Sequence, residues 1–374
     1  MTFLLIASFP DSLLRFRGAL INALLARGLS VHVAAPDLPA GSTIRQRLEA
    51  KGLQVHEIPL RRTGMNPLSD LCSLLNLWRL MRRIRPDYVL GYTIKPVIYG
   101  SLAARLAGVP RRFALITGLG YAFQGQEDGG DWRSFLRLMV LRLYAVALHG
   151  THKVFFQNPD DQALFLESGL LPPATPSFVV NGSGVDVAEY SLAPLPPAPR
   201  FLLIARLLGD KGVREYAEAA RQVRSRHPEV VFSLVGWIDE NPDAIKQEEL
   251  DAWVAEGTLE FLGRLSDVRP AIAACSVYVL PSYREGTPRT VLEAMAMGRA
   301  IITTDAPGCR ETVVDDDNGL LVPVRAVSEL VAAMQRFIAE RELVVRMGGR
   351  SRLIAEQKYD VHRVNAVMLK EMGV

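Results

Sequence analysis

The 374-residue sequence has few cysteines and no long apolar segment. Its three cysteines, Cys72, Cys275 and Cys309, are odd in number and too widely spaced for a disulfide framework or a C-x-x-C metal motif. No stretch approaches the roughly 18 uncharged apolar residues of a membrane span, and residues 1–7 have no basic residue before their apolar run. These absences argue against a secreted or membrane-inserted protein and predict a cytoplasmic one.

Two motifs of other enzyme classes are also missing. No G-x-G-x-x-G follows the strand-like runs at 3–7 and 201–205, which argues against a nicotinamide-dependent oxidoreductase. No Asp-x-Asp follows a predicted strand that would face a ligand, and the acidic run at 315–319 ends in Asn-Gly, a turn signature. The sequence therefore predicts no cofactor and no essential divalent metal ion.

Apolar residues make up 49 % of the chain and charged residues 22 %, as in a folded protein of about two domains. The charge is uneven, because residues 1–199 hold 20 Lys and Arg against 14 Asp and Glu, whereas residues 200–374 hold 23 against 26. Within the first half, residues 51–112 hold 11 basic and 3 acidic residues. We expect the two halves to meet different partners, the first of them anionic.

Short strand-like runs alternate with helical patterns along the whole chain, which is typical of parallel sheets flanked by helices. One series starts at Phe3 and gives about six strand–helix units before residue 185, and a second series starts at Phe201. Between them, residues 192–200 contain four prolines, which fit neither a helix nor a sheet interior. The pattern predicts an α/β protein with a hinge at this segment.

We therefore predict two Rossmann-like domains, residues 1–194 and residues 199–357. A last helix, residues 358–374, is expected to return to the first domain. Open parallel sheets bind ligands at the carboxyl ends of their strands, so both sheets are expected to face a central cleft.

Candidate functional residues follow the predicted strand at 277–280. Glu285 and Gly286 lie in the loop after it, and Pro288 suits the first turn of the next helix. A helix N-terminus attracts anions, so a nucleotide phosphate is a natural ligand there. Glu293 comes two helical turns later, and the two glutamates are placed to hold one ligand at two points. Stabilisation of the helix dipole and simple solvation explain such acidic residues equally well.

A second group follows the predicted strand at 201–205. Arg206 comes directly after this strand, and Lys211-Gly212 precedes a helical pattern over 213–223. Two cations and a glycine at a strand end are typical of a diphosphate site, although Lys211 also fits an exposed loop charge.

Together with Gly308-x-x-Glu311, these two groups resemble the retaining glycosyltransferases of family four, which have the GT-B fold. The resemblance covers essentially the whole chain. The chain is similar in particular to the bacterial subgroup that adds sugars such as N-acetylgalactosamine to undecaprenyl-diphosphate-linked saccharides. This similarity lies in the segments at 92–100, 117–123, 181–186 and 239–242.

The resemblance implies a role for each matching residue. Arg206 and Lys211 would bind the diphosphate of a UDP-sugar donor, and Glu285 would bind the hydroxyls of the transferred sugar, so these three are the expected catalytic residues. Glu293 would bind the ribose. The remaining donor-site residues implied are Gly286, Thr287, Pro288, Arg289 and Thr290 around the phosphates, and Gly263 and Arg264 near the nucleobase.

The first half contains the candidate acceptor residues. Arg17 and Lys95 each follow a predicted strand, and either could equally lie on the surface. The helices predicted at 71–84 and 132–148 mix apolar residues with arginines, so they either pack inside the domain or lie against lipid head groups. We expect a polyprenyl-diphosphate-linked saccharide and an anionic membrane surface as partners, on the inner face of the cytoplasmic membrane. Nucleic acid is not expected, because no interleaved aromatic residues accompany the basic charges.

Two other classes of protein remain open at this point. A non-hydrolysing UDP-sugar epimerase shares the architecture and the donor but needs no lipid acceptor. A membrane-associated binding protein without catalytic activity would also fit these patterns.

Overall fold

The computed structural model describes residues 1–61, 66–118, 131–239 and 241–374, without the side chains of residues 131–137. This part of the chain divides into two compact units. The first domain comprises Met1–Ser183 and Asn365–Val374, and the second comprises Gly184–Val364.

The first domain is built on a seven-stranded parallel sheet with the strand order β3-β2-β1-β4-β5-β6-β7. Its strands are β1 (Thr2–Ile6), β2 (Ser30–Ala35), β3 (Gln54–Glu57), β4 (Tyr88–Tyr92), β5 (Arg111–Ile116), β6 (Lys153–Phe156) and β7 (Ser177–Val179). Its helices are α1 (Asp11–Arg15), α2 (Gly18–Ala26), α3 (Thr43–Glu49), α4 (Pro67–Ile84), α5 (Ile94–Leu106), α6 (Asp131–Leu148) and α7 (Pro159–Glu167). Central strands such as β4 are buried along their whole length, because helices cover both faces of a parallel sheet.

The second domain has a six-stranded parallel sheet with the order β10-β9-β8-β11-β12-β13. Its strands are β8 (Arg200–Ile204), β9 (Val231–Val235), β10 (Glu260–Phe261), β11 (Val277–Leu280), β12 (Ala300–Thr304) and β13 (Gly319–Val322). Its helices are α8 (Val213–Arg224), α9 (Gln247–Ala255), α10 (Arg269–Ala273), α11 (Arg289–Ala296), α12 (Val327–Ala339) and α13 (Arg341–Ile354), and α14 (Val361–Met372) leads into the first domain.

The boundary between the domains lies earlier than the proline-rich segment, at Gly184. The cause is a set of contacts that hold the segment before the prolines on the second domain: Val185 forms a parallel bridge with Asp360, and Arg299 donates to the carbonyl of Ala193 over 2.8 Å. The return to the first domain comes at Asn365, inside α14 rather than at residue 358.

Residues 365–374 complete the core of the first domain. Met368, Leu369 and Met372 are buried there against the side chains of β1 and β4. On the same helix, Glu371 accepts a hydrogen bond from Lys153 of β6 over 2.6 Å.

Two local predictions need correction. The apolar pattern from Leu13 to Arg27 predicts one helix, but Arg17 leaves helical geometry between α1 and α2. The Arg17 guanidinium stacks on the ring of Tyr92, 5.1 Å from the centroid. Pro288 is the N-cap of α11 and has no N–H, so it cannot donate to a phosphate from the first helical turn.

The remaining local predictions concern the cysteines, the acidic run and segments that lie partly outside the described residues. All three cysteines are free, and residues 316–318 form a turn within the acidic run. Within the described ranges, no helix has both the length and the apolar composition needed to cross a membrane. Most of the segment at 117–123, the side chain of Trp132 and Glu240 are outside the part of the chain that the structure describes.

Candidate active site

The predicted donor residues meet at one place in the second domain. Arg206 and Lys211 follow β8, and Glu285 to Thr290 follow β11. These two strands are hydrogen-bonded neighbours in the middle of the sheet, where the strand order reverses. Open α/β sheets bind ligands at the carboxyl ends of the strands at such a reversal.

Lys211 and Glu285 form an ion pair at this position. The Lys211 Nζ lies 2.8 Å from Glu285 Oε1 and 3.8 Å from Asp210 Oδ2, and both members of the pair are largely buried. Burial alone would lower the pKa of Lys211, but the charges of Glu285 and Asp210 and the hydrogen bond to Glu285 raise it above its ordinary value. Lys211 is therefore cationic at neutral pH.

Glu285 is held from two further directions. The Ser282 hydroxyl donates to Glu285 Oε1 over 2.9 Å, and the Glu285 backbone N–H donates to the Pro307 carbonyl over 2.9 Å. Beneath it, burial and the charge of Glu285 raise the pKa of Cys309 to about 12, so this thiol is protonated and no nucleophile.

Arg206 completes the charged cluster. Its Nη1 lies 3.0 Å from Asp239 Oδ2, and its charge acts on Lys211. Each cation of the cluster thus has a carboxylate partner within the protein. Within the described residues, no group of three or more His, Cys, Asp or Glu side chains is arranged to hold a metal ion.

Two glycines of the sequence motifs allow close packing around the cluster. Gly212 has a φ of +69°, and a Cβ on it would lie 2.1 Å from the Pro281 carbonyl oxygen. Gly308 has a φ of +81°, and a Cβ on it would lie 2.1 Å from the Glu285 carbonyl oxygen. Any larger residue would push the Lys211 turn or the Glu285 loop out of place.

Glu293 lies on α11 in a buried environment. It accepts a hydrogen bond from Arg289 Nε over 2.8 Å and one from the Tyr190 hydroxyl over 3.0 Å. Burial raises the pKa of Glu293, while the charge of Arg289 and the hydrogen bond from Tyr190 act in the opposite direction. The structure does not support the alternative of a solvated surface carboxylate, because Glu293 is only 6 % exposed.

The other predicted donor-site residues of this loop surround the start of α11. Gly286 is buried, Thr287 and Arg289 are half-buried, and the Thr290 hydroxyl accepts from the Tyr278 hydroxyl over 2.7 Å. Tyr278 lies beneath the loop, and its raised pKa reflects burial first, with smaller contributions from both Glu285 and Glu293. The two glutamates therefore act on one buried ring, and the positive end of the α11 dipole lies on the same side.

Arg264 has an aromatic partner that the sequence did not indicate. Its guanidinium lies 4.7 Å from the centroid of the Trp237 ring, which is 41 % exposed. The Gly263 carbonyl accepts from the Gly236 N–H over 3.0 Å, which brings the ends of β10 and β9 together. An exposed ring with a cation stacked on it offers a flat surface for a nucleobase.

The two candidate acceptor residues have partners within the first domain. Arg17 is buried and stacks on Tyr92, and Lys95 Nζ lies 2.7 Å from Asp70 Oδ1 on α4. Both follow strands at the reversal of the first sheet, β1 and β4, so their positions fit a ligand site while their contacts give them structural roles as well.

Several residues that contact the predicted donor-site residues were not themselves predicted from the sequence: Asp210, Asp239, Ser282, Trp237 and Tyr190. Asp210 had a usable signal, because it follows the predicted strand at 201–205 and directly precedes Lys211. Asp239 had no such signal, since it lies 33 residues from its partner Arg206. Tyr190 had none, since it lies 103 residues from its partner Glu293.

Comparison with known proteins identifies the class. Residues 4–158 match the family described as "Glycosyl transferase 4-like", and residues 198–340 match "Glycosyl transferases group 1". Among solved structures, sucrose-phosphate synthase from Thermosynechococcus elongatus superposes with a TM-score of 0.80 at 18 % identity, covering 99 % of this chain and 98 % of that one. Anabaena HepE, solved in complex with UDP, gives 0.77 at 19 % identity, with 100 % of both chains covered. The fold and the matched domains define a GT-B glycosyltransferase.

The chain belongs to the family-four glycosyltransferases. It is 29 % identical over 346 residues to the N,N'-diacetylbacillosaminyl-diphospho-undecaprenol alpha-1,3-N-acetylgalactosaminyltransferase of Campylobacter jejuni, covering 89 % of this chain and 88 % of that protein. It is 26 % identical over 298 residues to the UDP-Gal:alpha-D-GlcNAc-diphosphoundecaprenol alpha-1,3-galactosyltransferase of Escherichia coli, covering 76 % and 75 %. The predicted fold class and family are confirmed.

Proposed function

We propose that this glycosyltransferase moves a sugar, N-acetylgalactosamine or a related hexosamine, from a UDP-sugar to an undecaprenyl-diphosphate-linked saccharide. The product would enter the assembly of a surface glycan, an O-antigen or a glycoprotein glycan. The observation that carries the proposal is the Lys211–Glu285 contact at the strand-order reversal, because it joins a diphosphate-binding cation to a carboxylate suited to sugar hydroxyls. The names of the Campylobacter and Escherichia relatives, both of which act on polyprenyl-diphosphate-linked sugars, support the acceptor class.

The charges of the cluster suggest how a donor binds. Within the protein, Arg206 and Lys211 are paired with Asp239, Asp210 and Glu285. A donor diphosphate would share both cations with these carboxylates and would also meet the positive end of α11. Preorganised positive groups of this kind stabilise the charge that develops on a leaving diphosphate.

The proposed reaction retains the anomeric configuration. The bond from the sugar to the UDP oxygen breaks, the acceptor hydroxyl attacks on the same face, and a diphosphate oxygen takes the hydroxyl proton. Arg206 and Lys211 hold the diphosphate during this step, Glu285 holds the sugar hydroxyls, and no protein nucleophile and no essential metal ion take part.

A transfer assay tests the proposal. The full chain is incubated with labelled UDP-N-acetylgalactosamine, UDP-N-acetylglucosamine, UDP-galactose or UDP-glucose, with and without a synthetic polyprenyl-diphosphate saccharide. We expect label in the lipid product only when acceptor is present, with an α linkage by NMR. Isomerised donor without acceptor would identify an epimerase instead, and no turnover of any donor would leave a binding protein.

The exposed surface of α4 supports a membrane partner for the first domain. The helix buries Ser73, Leu77, Leu80 and Met81. Its opposite face carries Leu68, Leu71 and Leu75, which are 79 %, 51 % and 40 % exposed, followed by the exposed Arg79 and Arg82.

This spacing places the leucines and the arginines on the same side of the helix, the leucines in its first half and the arginines in its second half. Such a surface suits the boundary of an anionic bilayer, with leucines at the acyl chains and arginines at the head groups. We propose on this basis that the protein binds peripherally to the inner face of the cytoplasmic membrane.

Vesicle binding tests this surface. Each basic residue near an anionic bilayer contributes about 1 kcal/mol to membrane binding. Salt weakens this attraction, which at 0.1 M ionic strength is largely screened beyond about 10 Å. We expect the protein to sediment with phosphatidylglycerol vesicles at low salt and to be released at high salt. Replacing Arg79, Arg82 and Arg83 with glutamine should weaken sedimentation and activity on a long-chain acceptor, while UDP binding is unchanged.

A charge-matched variant controls for net charge. Arg27, Arg47 and Arg226 are also exposed, and replacing them with glutamine should leave vesicle binding close to that of the parent. Equal losses in both triple variants, or none in the α4 variant, would show that the α4 arginines form only a solvated helix face.

A further inference from the structure

The turn before the proline-rich segment is fixed on the second domain by its own side chains. Asp186 Oδ1 accepts the backbone N–H groups of Ala188 and Glu189 over 3.0 and 3.1 Å, and the Tyr190 N–H donates to the Asp186 carbonyl over 2.9 Å. Just before the turn, Val185 exchanges backbone hydrogen bonds of 2.9 Å with the chain at 359–361. Residues 186–190 therefore form one anchored turn.

Arg352 joins this turn to α11. Its Nη1 donates to the carbonyls of Val187 and Tyr190, each over 3.0 Å, and to the carbonyl of Ala296 over 2.6 Å. Ala296 is the last residue of α11, the helix that carries Glu293. One guanidinium thus sets the distance between the Tyr190 backbone and the Glu293 helix.

The side chain of Tyr190 uses this placement to reach Glu293. Its hydroxyl donates to Glu293 Oε1, the same oxygen that accepts from Arg289 Nε. Tyr190 is 8 % exposed and Glu293 6 %, so little water competes for these bonds. Because both donors use Oε1, Oε2 is the oxygen that remains to accept from a ligand.

We infer that Tyr190 is a positioning residue for donor recognition: it holds Glu293 in the orientation in which Oε2 accepts a ribose hydroxyl of the nucleotide. The inference rests on the proposed UDP-sugar donor and on the ribose contact that the family resemblance implies for Glu293. It also gives a role to the Gly184-Val-Asp186 segment, because Asp186 builds the turn from which Tyr190 reaches the carboxylate.

The orientation needs two donors for a physical reason. A single hydrogen bond from Arg289, four residues before Glu293 on the same helix, leaves the carboxylate free to turn about its last side-chain bond. The Tyr190 hydroxyl comes from outside the helix and removes this freedom. A carboxylate already oriented loses less entropy when the ribose binds.

Nucleotide binding tests the inference, with UDP and 2',3'-dideoxyuridine diphosphate as probes for the parent and for Tyr190→Phe. The parent should bind UDP about 10-fold or more tightly than it binds the dideoxy nucleotide, because a hydrogen bond to a charged group contributes about that much affinity. Tyr190→Phe should weaken UDP binding about 3- to 10-fold and change dideoxy nucleotide binding less than about 2-fold, because only the ribose contact depends on the orientation of Glu293. Glu293→Gln should also reduce the preference for UDP.

Tyr216→Phe is the matched control, because it removes another buried hydroxyl of the second domain, one that donates to the Ser233 carbonyl over 3.1 Å. It should bind both nucleotides as the parent does. If Tyr190→Phe weakens the binding of both nucleotides equally, Tyr190 only supports the turn and the inference is overturned. Unchanged binding of both nucleotides by Tyr190→Phe would also overturn it, and so would a parent that binds the two nucleotides equally well. A parent that binds no UDP would instead refute the proposed donor.

Discussion

Replacing Glu285 with alanine should lower turnover by at least about 100-fold, the scale of losing one group that acts on transition-state charge. The same substitution leaves Lys211 largely buried with its nearest carboxylate, that of Asp210, 3.8 Å away. Breaking a buried ion pair in this way costs on the order of 3 kcal/mol of stability. Steady-state turnover must therefore be read together with a thermal melt.

Glu285→Gln separates the two effects. Glutamine keeps the shape of the side chain and an oxygen for the Ser282 hydroxyl, so we expect a smaller loss of stability with a comparable loss of turnover. Glu249→Gln is the control, because Glu249 also pairs with a cation of the second domain, Arg214 at 2.7 Å, but on the surface. Near-normal turnover of folded Glu285→Gln would refute a role for the Glu285 charge.

Replacing both Arg206 and Lys211 with alanine should abolish donor binding. Charge-assisted hydrogen bonds contribute about 1.5–3 kcal/mol each, so losing two predicts a loss of affinity for UDP of at least about 100-fold. The loss should be larger still, because Asp210, Asp239 and Glu285 would then face the diphosphate without their cations. Calorimetric titration with UDP measures the effect.

The same cluster predicts the response to metal removal. If these cations and the start of α11 carry the diphosphate, EDTA should leave turnover nearly unchanged. The control for the Arg206 and Lys211 double variant is the alanine replacement of both Arg200 and Arg221. These two arginines pair with surface glutamates, so this variant should bind UDP normally. Activity lost in EDTA and restored by Mg²⁺ or Mn²⁺ would show that the cations do not suffice.

The central strands could be predicted from the sequence because burial on both faces requires continuous apolar runs. The run at 277–280 coincides with β11, and the run starting at Phe201 differs from β8 by one residue at each end. The strands β3, β7 and β13 were not predicted. All three lie at sheet edges. An edge strand pairs on one side only and tolerates polar residues, as in Gln-Val-His-Glu of β3, whereas β13 is apolar and polarity does not explain why it was missed.

The site was partly predictable for a related reason. Neighbouring parallel strands end at the same edge, so residues that follow β8 and β11 in sequence are brought together, as Lys211 and Glu285 are. Contacts that depend on a loop had no such rule. The stacking of Arg17 on Tyr92 and the Tyr190–Glu293 bond both join residues far apart in the chain.

The location of residues 365–374 in the first domain affects the order of folding during synthesis. Met368, Leu369 and Met372 belong to the core of that domain, so its core stays incomplete until this segment has left the ribosome. The second domain is continuous from Gly184 to Val364, and all of its residues are made before that point. Domains fold as units as they emerge, and here the domain that begins first in the chain is therefore the one that finishes last.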